Sequence, residues 1–323
     1  MIGDALFIFL GLAVLLVGGD LLVRGAVGIA GALRVPALII SLTIIAFGTS
    51  APELVVSVAA VLEKQPGIAV GNIVGSNIAN ILLVLGLPAL AFPMATRVDG
   101  LRRHGVVLLI ATAAFAGVAY SGVPLGRGLG AAFIAGIIAY IALLAALTRG
   151  GAARDPVIDE VAEYSDGGRT GLGPALAYLA CGLIGLPLGA DILVVHGSML
   201  AASFGARPEV IGLTIVALGT SMPELATVAA AALRKRSEVA IGNVIGSNIF
   251  NIFAVGGAAG LAGGFTVGPE ALRLEVPVMI AAVVALVAFV LARRDLGRLT
   301  GLVLVGAYAA FLAALFFNGA ASS

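Results

Sequence analysis

Leu42–Glu53 reads LTIIAFGTSAPE, and Leu213–Glu224 reads LTIVALGTSMPE. A second stretch, Ala69–Leu82 (AVGNIVGSNIANIL), returns as Ala240–Phe253 (AIGNVIGSNIFNIF). Both pairs stand 171 positions apart, and the offset holds without insertion from Gly11 and Gly182 to Asn80 and Asn251. Each copy places a glutamate, hydroxyls, a proline and asparagines inside long apolar runs. An acid at membrane depth is costly and marks a functional site by default. Two such copies predict one polar site built where two repeats meet.

The composition around these stretches is that of a membrane protein. The chain is 61% hydrophobic and 11% charged, where a soluble domain carries about 25% charged residues. Its 45 glycines suit close helix packing in lipid. The single cysteine, Cys181, has no intrachain disulfide partner, and one thiol with two histidines makes no zinc set. A net charge of +1 gives no case for nucleic acid. The N-terminal apolar run reads as a first span rather than a cleaved leader, because it lacks a basic start and a small-residue cleavage site.

A spanning helix needs roughly 20 apolar residues. Ten runs qualify, near 4–30, 36–62, 67–91, 104–120, 124–147, 173–200, 208–232, 239–262, 272–292 and 299–317. The longest polar break, 149–170, leaves a five-span repeat on each side, 1–148 and 171–323. An odd count per half inverts the second repeat relative to the first. With the N-terminus outside, 14 Lys and Arg residues fall on the linker side, and only Lys64, Arg127, Arg207 and Arg273 fall opposite. The positive-inside rule then places the linker in the cytoplasm and both termini outside.

Within each repeat, proline sits one residue before glutamate. Pro52 and Pro223 have no N–H to offer the carbonyls of Gly48 and Gly219, so spans two and seven should break there. Irregular backbone at this depth must be buried in protein or line a polar cavity. Helical spacing puts Ala46, Thr49 and Glu53 on one face, and Ala217, Thr220 and Glu224 on another. Ser76 with Asn80, and Ser247 with Asn251, share faces of spans three and eight. All these donors are oxygens. Two carboxylates among neutral oxygens suit Ca²⁺ or Na⁺ and argue against zinc or copper.

Plainer roles compete for some of these residues. Ser and Thr in membrane helices often bond to a preceding carbonyl. Asn72, Asn77, Asn243 and Asn248 can be interhelical glue, and Gly71/Gly75 and Gly242/Gly246 read as packing positions. Asp20 and Asp191 are repeat-equivalent. Arg24 lies one turn from Asp20 and His196 is near Asp191, which favours a structural or gating role over ion ligation. Ser57 shares a face with Glu53, but its equivalent is Val228, so it carries little weight.

GTSAPE…GNIVGSNIAN and GTSMPE…GNVIGSNIFN resemble the two α-repeats of the cation/Ca²⁺ exchanger superfamily, above all its prokaryotic Na⁺/Ca²⁺ exchangers. The resemblance implies an all-α integral membrane protein of the prokaryotic plasma membrane. It implies ten helices in two inverted repeats, with helices 2, 3, 7 and 8 broken around a central ion site. It also implies an antiporter, not an enzyme, with no cofactor and with Ca²⁺, Na⁺ and the bilayer as its partners. By position, Ca²⁺ carboxylates fall on Glu53 and Glu224 and central threonines on Thr49 and Thr220. Na⁺ groups fall on Ala46, Ser50, Ser76, Asn80, Ala217, Ser221, Ser247 and Asn251, the alanines giving carbonyls. One departure bears on stoichiometry, K⁺ dependence and proton response: Asn251 stands where many relatives carry aspartate. The 149–170 loop is too short for the Ca²⁺-sensing domains of animal exchangers, and the GN-x-x-E signature of the Ca²⁺/H⁺ branch is absent. Ca²⁺/H⁺ exchange and a cation channel are the alternative functions; a non-transporting scaffold would leave the duplicated glutamates without a purpose.

Overall fold

A computed structural model describes residues 2–32, 50–97, 100–149, 171–203, 208–233, 235 and 237–320. The described residues form helices in the expected order. α1 is Ile2–Ala32 and α2 is Ala51–Leu62. α3 runs Pro66–Ala79, Asn80–Val84, Gly86–Ala91. α4 is Leu101–Ser121, α5 Arg127–Arg149 and α6 Leu172–Ser203. α7 is bent: α7a comprises Pro208–Ile211, Gly212–Val216 and Ala217–Thr220, and α7b is Met222–Leu233. α8 runs Ser237–Phe250, Asn251–Val255, Gly256–Ala262. α9 is Glu275–Leu291 and α10 is Arg298–Ala320. Among the described residues, eight helices are long and apolar enough to cross a membrane, and the bent pair in α7 makes a ninth. The first half of the expected second span, with Ala46 and Thr49, lies outside the described residues.

α3 and α8 are the most buried spans. Their small and amide-bearing faces explain this, since such residues let backbones approach and bond across helices. A Cβ built on Gly75 would lie 2.8 Å from the Ala217 methyl, which bears out a packing role for this glycine. α1 packs chiefly along α6, and both carry apolar side chains outward, among them Phe9 and Ile184.

The contacts between the two sequence halves come in reciprocal sets. A Cβ on Gly18 would meet the Leu186 nitrogen at 3.1 Å, and one on Gly189 would meet the Leu15 nitrogen at 2.9 Å. Those four residues are two equivalent pairs, exchanged, and the opposed numbering makes α1 and α6 antiparallel. A Cβ on Gly130 would lie 2.8 Å from the Gly257 oxygen, and one on Gly301 would lie 2.8 Å from the Gly86 oxygen. Two isolated antiparallel bridges repeat the exchange, Met94 with Leu296 and Leu125 with Phe265. Each half thus uses the same surface to hold the other, as in an isologous interface. These pairs carry the 171 offset on to Gly130 and Gly301.

Spans three and eight differ from expectation. They are not broken. Each continues through a five-residue π turn, Asn80–Val84 and Asn251–Val255. The Leu85 N–H reaches past the usual partner to the Asn80 carbonyl at 3.1 Å. In α8 no proline follows to remove a donor, and in α3 Pro88 removes only the donor that would meet Val84, so each ladder absorbs the irregularity by widening rather than by parting.

Candidate ion site

The site starts from two prolines. Pro52 opens α2 and Pro223 is the second residue of α7b, both places where a missing N–H costs nothing. The residue before each helix leaves the helical basin: Ser50 has φ −92° and ψ 10°, and Ser221 has φ −85° and ψ 8°. α7 consequently bends by 48° between Thr220 and Met222. Glu53 and Glu224 then fall in the first turn of a half-helix, where the helix dipole favours negative charge.

Both glutamates are fully buried. Ser221 Oγ donates to Glu53 Oε1 at 3.3 Å, and Ser50 Oγ donates to Glu224 Oε1 at 3.4 Å. Each carboxylate is therefore held by the serine of the opposite half. Both contacts are long beside the usual 2.7–2.8 Å of an O–H···O bond. Glu53 Oε2 has no hydrogen-bond partner among the described residues. No described Lys or Arg pairs with Glu53. An arrangement of this kind calls for cations.

Asn72 ties α2 to α7. Its Nδ2 donates to the Glu53 carbonyl at 3.0 Å and to Ser57 Oγ at 2.9 Å, and its Oδ1 accepts from Thr220 Oγ1 at 3.1 Å. Sequence reading left Asn72 between glue and function and discounted Ser57. The signal for Asn72 was its place in the duplicated GN motif; Ser57 has none, because Val228 stands opposite. The Ala217 carbonyl, expected as a ligand, accepts the Ser221 N–H at 3.1 Å.

A second polar layer follows along α3 and α8. Asn80 Nδ2 donates to Asn248 Oδ1 at 3.0 Å, and Asn248 Nδ2 donates to the Asn77 carbonyl at 3.2 Å. Ser76 Oγ, Asn80 Oδ1 and both amide atoms of Asn251 are buried with no partner among the described residues. Ser247 is buried as well. The orphaned atoms are oxygens apart from the Asn251 amide nitrogen, which fits a hard cation. Among the described residues, no three His, Cys, Asp or Glu side chains come together, so the carboxylate count stays low.

Asp20 and Asp191 lie away from this site, both exposed. Asp20 pairs with Arg24 at 2.7 Å, as the spacing suggests. His196 does not serve Asp191. Its Nδ1 lies 3.1 Å from Asp4 Oδ1 and its ring stacks on Phe7, which pins the start of α1 to α6.

Comparison with known proteins agrees with this geometry. Residues 4–147 and 174–317 each match the family described as sodium/calcium exchanger protein. The chain is 37% identical to a putative antiporter, CaxA, of Alkalimonas amylolytica, covering 98% of this chain and 99% of that one. It is 34% identical to the sodium/calcium exchanger MaX1 of Methanosarcina acetivorans, covering 97% and 98%. Among solved structures it resembles the sodium-calcium exchanger NCX_Mj soaked with Na⁺ and Sr²⁺, with a TM-score of 0.61, 30% identity and 97% and 98% of the two chains covered. A chain with two family matches, one per repeat, and with full-length likeness to named exchangers belongs to the sodium/calcium exchanger family.

Proposed function

We propose that this chain exchanges Na⁺ for Ca²⁺ by alternating access, with ions bound mid-membrane between two inverted repeats of five spans, 1–148 and 171–323. The observation that carries the reading is the crossed pair of contacts, Ser221 to Glu53 and Ser50 to Glu224. It puts two acids from opposite halves in one polar centre. Two carboxylates neutralise one Ca²⁺. With Thr49, Thr220, Ser50, Ser221, Ser76, Ser247, Asn80, Asn251 and the carbonyls of Ala46 and Ala217, they can instead hold Na⁺. Ions that share ligands compete, which is the first requirement of exchange. Moving an unneutralised carboxylate into a closed, dry site costs several kcal/mol. The empty carrier therefore resists the occluded state, and the loaded one passes through it.

The span count and sidedness rest on the loop pairings. The turn after α3 joins the turn before α10, and the turn before α5 joins the turn after α8. Ten alternating spans put each of these pairs on one side of the membrane. The Lys and Arg bias then assigns the linker to the cytoplasm of a prokaryotic cell and the termini to the outside.

The test is radiolabelled Ca²⁺ uptake into proteoliposomes under imposed Na⁺, K⁺ or H⁺ gradients. Uptake driven by an outward Na⁺ gradient is expected. Uptake that follows an H⁺ gradient and ignores Na⁺ would replace this reading with Ca²⁺/H⁺ exchange. Flux far above carrier rates would indicate a channel.

A further inference from the structure

We infer that Asn248 is a positioning residue that fixes which end of the Asn80 amide faces the ions. The inference rests on the proposed ion layer containing Asn80. The two ends of an asparagine amide differ in chemistry, not in shape, so their assignment must come from hydrogen bonding. Here it starts at a group with no freedom. The Asn77 backbone carbonyl can only accept, so the Asn248 atom 3.2 Å from it must be the NH₂. Asn248 therefore turns its oxygen to Asn80, which must meet it with an NH₂ at 3.0 Å. What remains of the Asn80 amide is Oδ1, buried and without a partner among the described residues. A backbone carbonyl thus sets, through two side chains, a cation-binding oxygen rather than a cation-repelling NH₂.

The equivalent relay in the other direction is not made. Asn77, the equivalent of Asn248, bonds instead to the Ile73 carbonyl one turn back at 2.7 Å. Asn251, the equivalent of Asn80, has neither amide atom bonded among the described residues. Among the described residues, one amide of the pair is oriented and the other is not. Simple helix gluing gives no reason for that asymmetry to fall on the two proposed ligands.

The experiment uses the full-length protein, purified and also reconstituted. Na⁺ and Ca²⁺ are titrated against the thermal unfolding midpoint, and half-saturation is measured in exchange. Asn248→Ala should raise the Na⁺ concentration for half-effect roughly tenfold or more, the usual cost of losing an outer-shell partner. In an Asn80→Asp background both terminal atoms are oxygens, so no orientation is left to set. There the added Asn248→Ala substitution should no longer raise the Na⁺ concentration for half-effect. Asn248→Leu, closer in volume, should give the same two results and serves if the alanine variant does not fold. An equal shift in both backgrounds would reduce Asn248 to interhelical glue and overturn the inference. So would the absence of any shift in the parental background. A parent protein that neither Na⁺ nor Ca²⁺ stabilises, and that exchanges neither, would remove the ion site itself, and the inference with it.

Discussion

Ser221 reaches Glu53 across the boundary between the two halves, Oγ to Oε1 at 3.3 Å. The serine ends one half-helix of the second repeat, and the glutamate begins a half-helix of the first. The contact is loose for a hydroxyl and a carboxylate, so the acid is placed but not satisfied. Under the proposed function, a bound ion completes it.

That leads to the first prediction. Glu53→Gln or Glu224→Gln should lower Ca²⁺ uptake roughly a hundredfold or more, since stripping one partner from a buried ionic cluster costs about 3–5 kcal/mol. The fold should survive, because glutamine keeps the shape and volume of the side chain. Uptake assays with gel filtration of each variant check this, and near-parental uptake by either one would sink the assignment.

Helix packing gives a prediction independent of ions. Gly130→Ala and Gly301→Ala each drive a methyl to 2.8 Å from a backbone oxygen. Each should destabilise by about 1–3 kcal/mol through overpacking, and to a similar degree, because the two sites are equivalents. Gly306→Ala, in open space on α10, should be neutral or stabilising, as alanine is the better helix former. Thermal unfolding midpoints of the three variants decide it; a loss at Gly306 matching the others would show that the close approaches do not matter.

Topology can be read by labelling. In a Cys181→Ser background, cysteines near Arg154 and near Arg234 should react only from the cytoplasmic side, and one near Asn318 only from outside. Reaction of the 149–170 loop with an impermeant reagent outside would overturn both the ten-span count and the inversion.

Asn251 supports a pH prediction. Its amide has no bonded atom among the described residues, so Asn251→Asp adds a third acid without breaking a hydrogen bond. Protons then compete with cations at one more carboxylate. Exchange by this variant should be more strongly inhibited in mild acid than exchange by the parent. Superimposable pH profiles would exclude Asn251 from the ion layer.

Much of this was legible in the sequence, for identifiable reasons. Pro223 announces the bend in α7 because a missing N–H acts locally; the segment before Ser50, where Pro52 would act, lies outside the described residues. The bounds of α3, expected at 67–91 and found at Pro66–Ala91, follow from hydropathy alone. The π turns at Asn80 and Asn251 are not legible, since no residue type encodes an i→i+5 bond, and the breaks expected in spans three and eight come from the family resemblance alone. The offset was traced only to Asn251. Beyond it, lipid-facing apolar residues substitute freely and leave only sparse marks such as Gly130 and Gly301. The partner of His196 was missed because Asp4 is 192 positions away in the chain.

The exchanged contacts have a bearing on how the protein comes into being. Each glutamate waits for a serine from the other half, and each loop bridge needs a strand from both. A ribosome that has finished only the first repeat has therefore made neither of the crossed contacts. What it has made is the equivalent of one subunit of an antiparallel homodimer. The linker at 149–170 does covalently what dimerisation would otherwise have to do by concentration.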